Sequence, residues 1–299
     1  MMSKYLKRIK DDKVLYLMLL PALIYFSIFH IWPVLGMKLA FYDYKIIGDD
    51  VFAGFKYFGE LFSTPLFSQI IRNTLIISVM KLFIIFPMPI AFAILLNEMR
   101  NRYFRWSIQI FSYLPHFFSW VVIAGIWYEI LSPSRGFVNE IIKIFGFLPK
   151  DFLTDKGSIR WVLVASEAWR NIGWDSIIFF SAILTINDEI FEAAYIDGAN
   201  RGQIIKSIII PALVLPSVTV LILNTGFIMN AGLDQILNFT NDSVRSKIDI
   251  IDTYVYRIGL INFQYSLATA ANLFKGIIGV ILMLLAHFTS KKLTDKGAW

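Results

Sequence analysis

Six stretches of this chain each reach the roughly 20 apolar residues that carry a helix across about 30 Å of hydrocarbon. They lie near residues 14–41, 70–97, 104–131, 159–185, 205–230 and 267–289. Runs of this kind leave few options. In lipid every backbone N–H and C=O must find its partner within the protein, and a single long run achieves this as a helix. The expected fold class is therefore an all-α integral membrane protein with six transmembrane helices. Pro21, Pro33, Pro87, Pro89 and Pro115 fall inside the runs and predict kinks, because neighbouring helices can re-satisfy the carbonyls that proline leaves free. The first run is far longer than a signal-peptide core of about 7 to 15 residues, and no small-residue cleavage site closes it, so it reads as a retained span.

Charge supplies the orientation. Of 299 residues 57% are hydrophobic and 17% charged, against about a quarter charged in soluble domains. The net charge of +6 does not indicate a nucleic-acid partner, because the bases sit in short strings beside the apolar runs. Lys4, Lys7, Arg8, Lys10 and Lys13, then Arg100, Arg102 and Arg105, then Arg201 and Lys206, and finally Lys291, Lys292 and Lys296 fall on one side if the spans alternate. The bias of cytoplasmic loops toward Lys and Arg makes that side the cytoplasm. The opposite loops carry mixed charge, with Asp49, Asp50 and Glu60 in the first and Asp234, Asp242, Asp249 and Asp252 in the last. The layout expected is a cytoplasmic basic segment at 1–13, a membrane domain over 14–289 and a cytoplasmic tail at 290–299, so that both termini are cytoplasmic.

Between the fourth and fifth runs lies a polar stretch from Asn187 to Pro211. Asn187 is a good N-cap, and Asp188 and Glu189 fall in the first turn, where carboxylates offset the positive end of the helix dipole. Ile190, Phe191, Ala194 and Tyr195 recur at helical spacing, leaving Glu189, Glu192 and Asp197 for a wetter side. Asp197-Gly198 predicts the stop, since glycine enters left-handed backbone space without strain, and a second helix restarts from Ala199. Small residues at Ala193, Ala194, Gly198 and Ala199 would let another surface approach the backbone closely. The stretch reads as an elbow built to dock.

With Glu192, Ala193 and Ala194 followed by Asp197, Gly198 and Ala199, then Ile208 and Pro211, this stretch resembles the signature loop of binding-protein-dependent ABC importer permeases. Ile210 replaces the leucine usual before the proline, and Ile205 stands where the family often carries an aromatic residue. The resemblance implies the type I ABC importer permease architecture, with the elbow at 188–202 as a cytoplasmic coupling helix in a cleft of the ATPase. It also implies the partners: a second permease subunit, distinct from this one, two ATPase subunits that hold ATP and Mg, and an external solute-binding protein. No cofactor is expected in this chain. The C-terminal strings from Gly232 to Asn241, from Ile251 to Leu260 and from Asn262 to Lys275 are similar to the corresponding part of permeases for complex sugars and polysaccharide fragments, implying a carbohydrate substrate and a bacterial cytoplasmic membrane.

Polar groups inside the runs are the candidates for the pathway. The fourth run carries Glu167, Arg170, Asn171, Trp174 and Asp175, and charged groups at membrane depth face a bundle interior or a water-filled cavity. Glu167 and Arg170, three apart, can pair with each other. Alternatively Trp169 and Trp174 stack on sugar faces while Asn171 and Asp175 bond hydroxyls. Asn224, Asn230, Asp234 and Gln235 at the outer end of the fifth run are further candidates, with helix–helix bonding as the other role for the two asparagines. Lys81 can snorkel or pair. The outer segments at 42–69 and 136–152, the first rich in aromatics and the second apolar and partly helical, suit either a membrane interface or docking of an external protein.

Several chemistries drop out. There is no cysteine, His30, His116 and His287 are isolated, and no glycine-rich loop with a lysine is present to cradle a phosphate. One rival function remains, a membrane-embedded enzyme acting on lipid or cell-wall sugars through Glu167 and Asp175. These are eight apart, about two helical turns, and so could share a face. A self-sufficient secondary transporter would show repeated halves, and the elbow has no second copy.

Overall fold

A computed structural model describes residues 12–226 and 228–294. Lys4, Lys7, Arg8 and Lys10 of the basic segment, and Lys296 of the tail, lie outside the described residues. The chain is helical almost throughout. Among the described residues the one sheet is a two-stranded antiparallel ribbon pairing Tyr42 with Phe52 and Asp43 with Val51.

Helix α1 (Lys13–Phe41) runs through Pro21 and Pro33 with a π segment at Ser27–Ile31, and none of the side chains of its first fourteen residues is buried. A short α2 (Lys56–Ser63) leads into α3 (Pro65–Glu98). The run expected near 104–131 is two helices, α4 (Arg102–Phe117) and α5 (Trp120–Leu131), meeting at 109°. The physical reason is local. Pro115 has no N–H to continue the ladder, and Ser119 caps a new helix by accepting from the Val122 amide. What the prolines led one to expect as a kink is here a right-angled break. Helix α6 (Phe137–Ile144) forms the outer patch, and α7 (Ile159–Leu184) follows.

The elbow is α8 (Asp188–Ile196), a turn, and the start of α9 (Arg201–Gly226). Three short helices, α10 (Leu233–Phe239), α11 (Arg245–Ile248) and α12 (Ile251–Tyr256), precede α13 (Tyr265–Thr294), which continues past residue 289 where the last run was expected to stop. Among the described residues four helices are apolar and long enough to cross a membrane, five if α4 and α5 count as one span. The 26-residue α7 falls outside that count because Arg160, Glu167, Arg170 and Asp175 interrupt it.

Helix α7 is the axis of the molecule. It lies along the second half of α3, and it also meets α4 and α9. Close approach to α4 is possible because Gly173 faces the backbone of Ser112, where a Cβ would come within 2.3 Å of the carbonyl oxygen. One apolar core joins α7 to α10 and α11 through Ile159, Leu163, Ile236, Phe239, Val244 and Ile248. A second lies at the elbow end, around Ala93, Phe179, Ile183, Ile204, Ile209 and Leu213. The large apolar side chains left exposed, Leu17, Met18, Phe83, Leu95, Val280 and Leu285 among them, suit helices whose solvent is lipid.

Candidate functional site

Two features, one just past the C-terminal end of α7 and one along its middle, carry the chemistry. The first is the elbow. The Asn187 side chain accepts from the Glu189 amide at 3.1 Å, with Asp188 and Glu189 in the first turn. At the far end the Ala199 amide donates to the Ala194 carbonyl at 2.9 Å and the Gly198 amide to Tyr195 at 3.1 Å, with Gly198 at φ +76°. This is a Schellman closure, which requires a left-handed residue and therefore selects glycine. Asn200 then caps the next helix in a reciprocal box, its side chain accepting from the Gln203 amide at 3.0 Å while Gln203 accepts from the Asn200 amide at 2.7 Å. Two caps back to back fix the bend.

Phe191, Ala194 and Ala199 pack onto the core at the ends of α3 and α7, and Arg201 approaches Glu98 at 3.6 Å. The expected apolar stripe is thus split. Ile190, at 48% exposure, and Tyr195, at 61%, point outward, together with Ile196 at 86%. Glu192, Ala193, Asp197 and Gly198 share that exposed side. Only Phe191 and Ala194 of the stripe anchor the helix, so the elbow shows solvent a mixed face of apolar, acidic and small residues.

The second feature is a cavity of about 720 Å³ among α3, α7 and α9. Helix α3 lines it with Ser78, Lys81, Leu82, Ile85, Phe86 and Pro89, which recur every three or four residues and so form one face. Helix α7 contributes Glu167, Asn171, Trp174 and Asp175 on one face and then Ile177, Ile178 and Phe179, and Val220, Asn224, Ile228 and Asn230 close the third side. Asn171, Trp174, Asp175, Asn224 and Asn230 of the expected pathway residues are therefore brought together. Trp169, Asp234 and Gln235 are not on the wall. Trp169 projects from another side of α7, and Asp234 is exposed elsewhere.

Gln235 is fully buried in a polar knot behind the wall. Its amide donates to the Leu163 carbonyl at 2.7 Å and to Ser166 Oγ at 2.9 Å, while Oε1 accepts from Lys81 Nζ at 2.6 Å. Lys81 also donates to the Ala231 carbonyl at 2.6 Å and pairs with the Glu167 carboxylate. The alternative pairing of Glu167 with Arg170 is not the one adopted. Arg170 instead donates to the carbonyls of His116 at 3.1 Å and Phe118 at 3.5 Å and to Asn171 Oδ1 at 3.4 Å, its guanidinium lying over Trp120. The break between α4 and α5 exposes those carbonyls, which draws the arginine away. His116, lifted by the same break, stacks on Trp174 at 4.4 Å between ring centroids and meets Asn171 Oδ1 at 3.1 Å. One face of the indole is thereby fixed. The centrality of Lys81 was visible in sequence only as a lone lysine in an apolar run, and the α3 cavity face only as its spacing.

A helical chain with long apolar spans, a cavity walled by three of its helices and a capped surface elbow has the features of a transport subunit. It belongs to the family described as binding-protein-dependent transport system inner membrane component, which matches residues 84–295. It is 37% identical to Protein LplB of Bacillus subtilis (strain 168), over 98% of this chain and 93% of that one. The polygalacturonan/rhamnogalacturonan transport system permease protein YteP of the same organism is 36% identical, over 99% of this chain and 94% of that one. Among solved structures, a bacterial alginate ABC transporter in complex with an alginate pentasaccharide-bound periplasmic protein contains a chain with TM-score 0.90 and 37% identity, covering 97% of this chain and 98% of that chain. The protein is thus a multi-pass permease subunit of an ABC transporter and not an enzyme. The carboxylate pair of the enzyme alternative is also chemically weak, since Lys81 engages Glu167.

Proposed function

We propose that this chain forms half of the translocation pathway of an ATP-driven importer for oligosaccharides or related sugars, in a bacterial cytoplasmic membrane. The names of its relatives support a carbohydrate substrate, and so does a cavity that combines a fixed indole face with the amides of Asn171, Asn224 and Asn230. In this reading α1, α3, the broken pair α4–α5, α7, α9 and α13 are the six spans, with both termini in the cytoplasm. The chain works with a second, distinct permease, two ATPase subunits and an external binding protein. It holds no cofactor itself, and ATP with Mg is bound by the ATPase.

The observation that carries the coupling role is the doubly capped elbow, seated on the ends of α3 and α7 while Glu192, Tyr195, Ile196 and Gly198 stay exposed. Its contact through Arg201 and Glu98 sets it beside the basic 98–105 turn, and the charge bias of cytoplasmic loops supports the same side for both. ATP-driven closure of the ATPase dimer pushes this lever and, through α7, opens the cavity alternately to either side. A lever of this kind shifts the permease only by as much as its grip differs between nucleotide states.

Gly198→Asp tests it in the reconstituted complex. The variant is expected to insert and assemble while losing ATP hydrolysis that responds to loaded binding protein. Hydrolysis retained at the unmodified level would remove the coupling role. Copurification of a nucleotide-binding chain with the tagged protein is expected in either case.

A further inference from the structure

Three ionisable side chains line the cavity: Lys81, Glu167 and Asp175. An ammonium has three donors, and those of Lys81 are engaged by Glu167, the Ala231 carbonyl and Gln235 Oε1. The lysine has none left for a ligand, and Glu167 balances its charge. Asp175 is different. It lies on the cavity wall next to Trp174 and is exposed, and none of the hydrogen bonds or ion pairs among the described residues reaches it. The titratable groups that face it, His116, Glu167 and Arg170, act on it only through space. The Arg170 guanidinium is directed instead to the carbonyls of His116 and Phe118, and the His116 ring is spent on the other partner of the site, stacked flat on Trp174 with its Nδ1 at Asn171 Oδ1.

This wall therefore offers a ligand one carboxylate that makes no hydrogen bond or ion pair, and no cation of its own with a free donor. We propose that Asp175 is a specificity-determining residue: the sugar unit seated against Trp174 carries no carboxylate, and Asp175 excludes one that does while accepting hydroxyl or amino groups. The inference rests on the reading of the cavity as the sugar path. Discrimination comes from repulsion as much as from attraction, since a uronate brought against Asp175 in a partly dry cavity meets a like charge that no ion pair neutralises. An uncharged ring in the same place donates hydroxyl hydrogens to the carboxylate, a charge-assisted bond stronger than the amides of Asn171 or Asn224 can offer.

The test uses the whole importer in nanodiscs, without nucleotide and without the external binding protein, so that only the permeases select. Equilibrium binding is measured for radiolabelled tetragalacturonate and for its carboxyl-reduced, uncharged counterpart. Wild type is expected to favour the reduced sugar by about tenfold or more, the scale that close like charges impose. Asp175→Asn, nearly isosteric, should bring the two within about twofold, Asp175→Lys should reverse the preference, and Asp175→Glu should keep it, where an order of magnitude is about 1.4 kcal/mol. Equal affinities in wild type, or an unchanged ratio in Asp175→Asn while the reduced sugar still binds, overturns the inference and leaves the cavity reading standing. Failure of both sugars to bind overturns both.

Discussion

The Lys81 ammonium on α3 is held against the Glu167 carboxylate on α7, and the same ammonium ties the Ala231 carbonyl, just before α10, and Gln235 of α10 to both helices. Lys81 is nine-tenths buried. Removing one partner of such a pair leaves the other charge stranded, which costs about 3 to 5 kcal/mol, whereas replacing both is often close to neutral. Lys81→Met is therefore expected to lower the unfolding midpoint in detergent sharply, and Lys81→Met with Glu167→Gln to recover much of the loss. A fully additive double mutant would mean that the two side chains do not interact.

Asn139 offers a cleaner case of a single residue organising a loop. Fully buried, its amide lies 3.0 to 3.1 Å from the carbonyls of Leu131, Ser132 and Lys150, and its oxygen accepts from the Lys150 amide at 2.8 Å. Each buried backbone group left unpaired costs about 1 to 3 kcal/mol. Asn139→Leu should free residues 132–152 locally while the membrane helices persist. Hydrogen exchange would show this as faster exchange confined to that segment, and unaltered protection there would refute it.

How much of this could be read from the sequence depended on the range of the interaction. Asn187, Gly198 and the restart after Ala199 were legible because caps act within a few residues, and their geometry is fixed by residue type. Which half of the α8 stripe faces inward was not legible. Phe191 and Ala194 are chosen by a core that includes Ala93, far away in the chain. Asn171, Trp174 and Asp175 were legible as a polar face of a membrane helix. Gln235, on the other hand, was read as a pathway residue and sits behind the wall, because its partners Leu163, Ser166 and Lys81 belong to two other helices. The right angle between α4 and α5 was visible only as Pro115.

The reciprocal cap at Asn200 should matter to coupling more than to stability. Asn200→Ala removes the acceptor for the Gln203 amide in an exposed turn, a loss of about 1 kcal/mol. The elbow then frays at its second helix while α9 remains packed through Ile204 and Ile209. The expected outcome is an unfolding midpoint lowered by no more than about 4 °C, with clearly weaker association to the ATPase subunits, measured by subunit retention during purification. Full retention of the ATPase subunits would show that the cap does not shape the docking face.

Gly173 is where α7 and α4 come closest, and the positions of Trp174, Asn171 and Arg170 depend on that closeness. An added Cβ would meet backbone atoms of Ser112, with its carbonyl oxygen 2.3 Å away and its carbonyl carbon 2.5 Å away. Backbone cannot rotate aside as a side chain can, so Gly173→Ala must push the helices apart. Overpacking of this kind costs about 1 to 3 kcal/mol. The displacement falls on the contacts next to it, the His116–Trp174 stack and the approach of His116 to Asn171, so tryptophan emission should shift along with the loss of stability. Gly276→Ala on α13, with open space around the position, is the control and should be neutral or slightly stabilising in the purified chain, as alanine is the better helix former. If Gly173→Ala melts with the wild type and leaves the emission unchanged, the close crossing of α4 and α7 is not what holds the cavity wall in place.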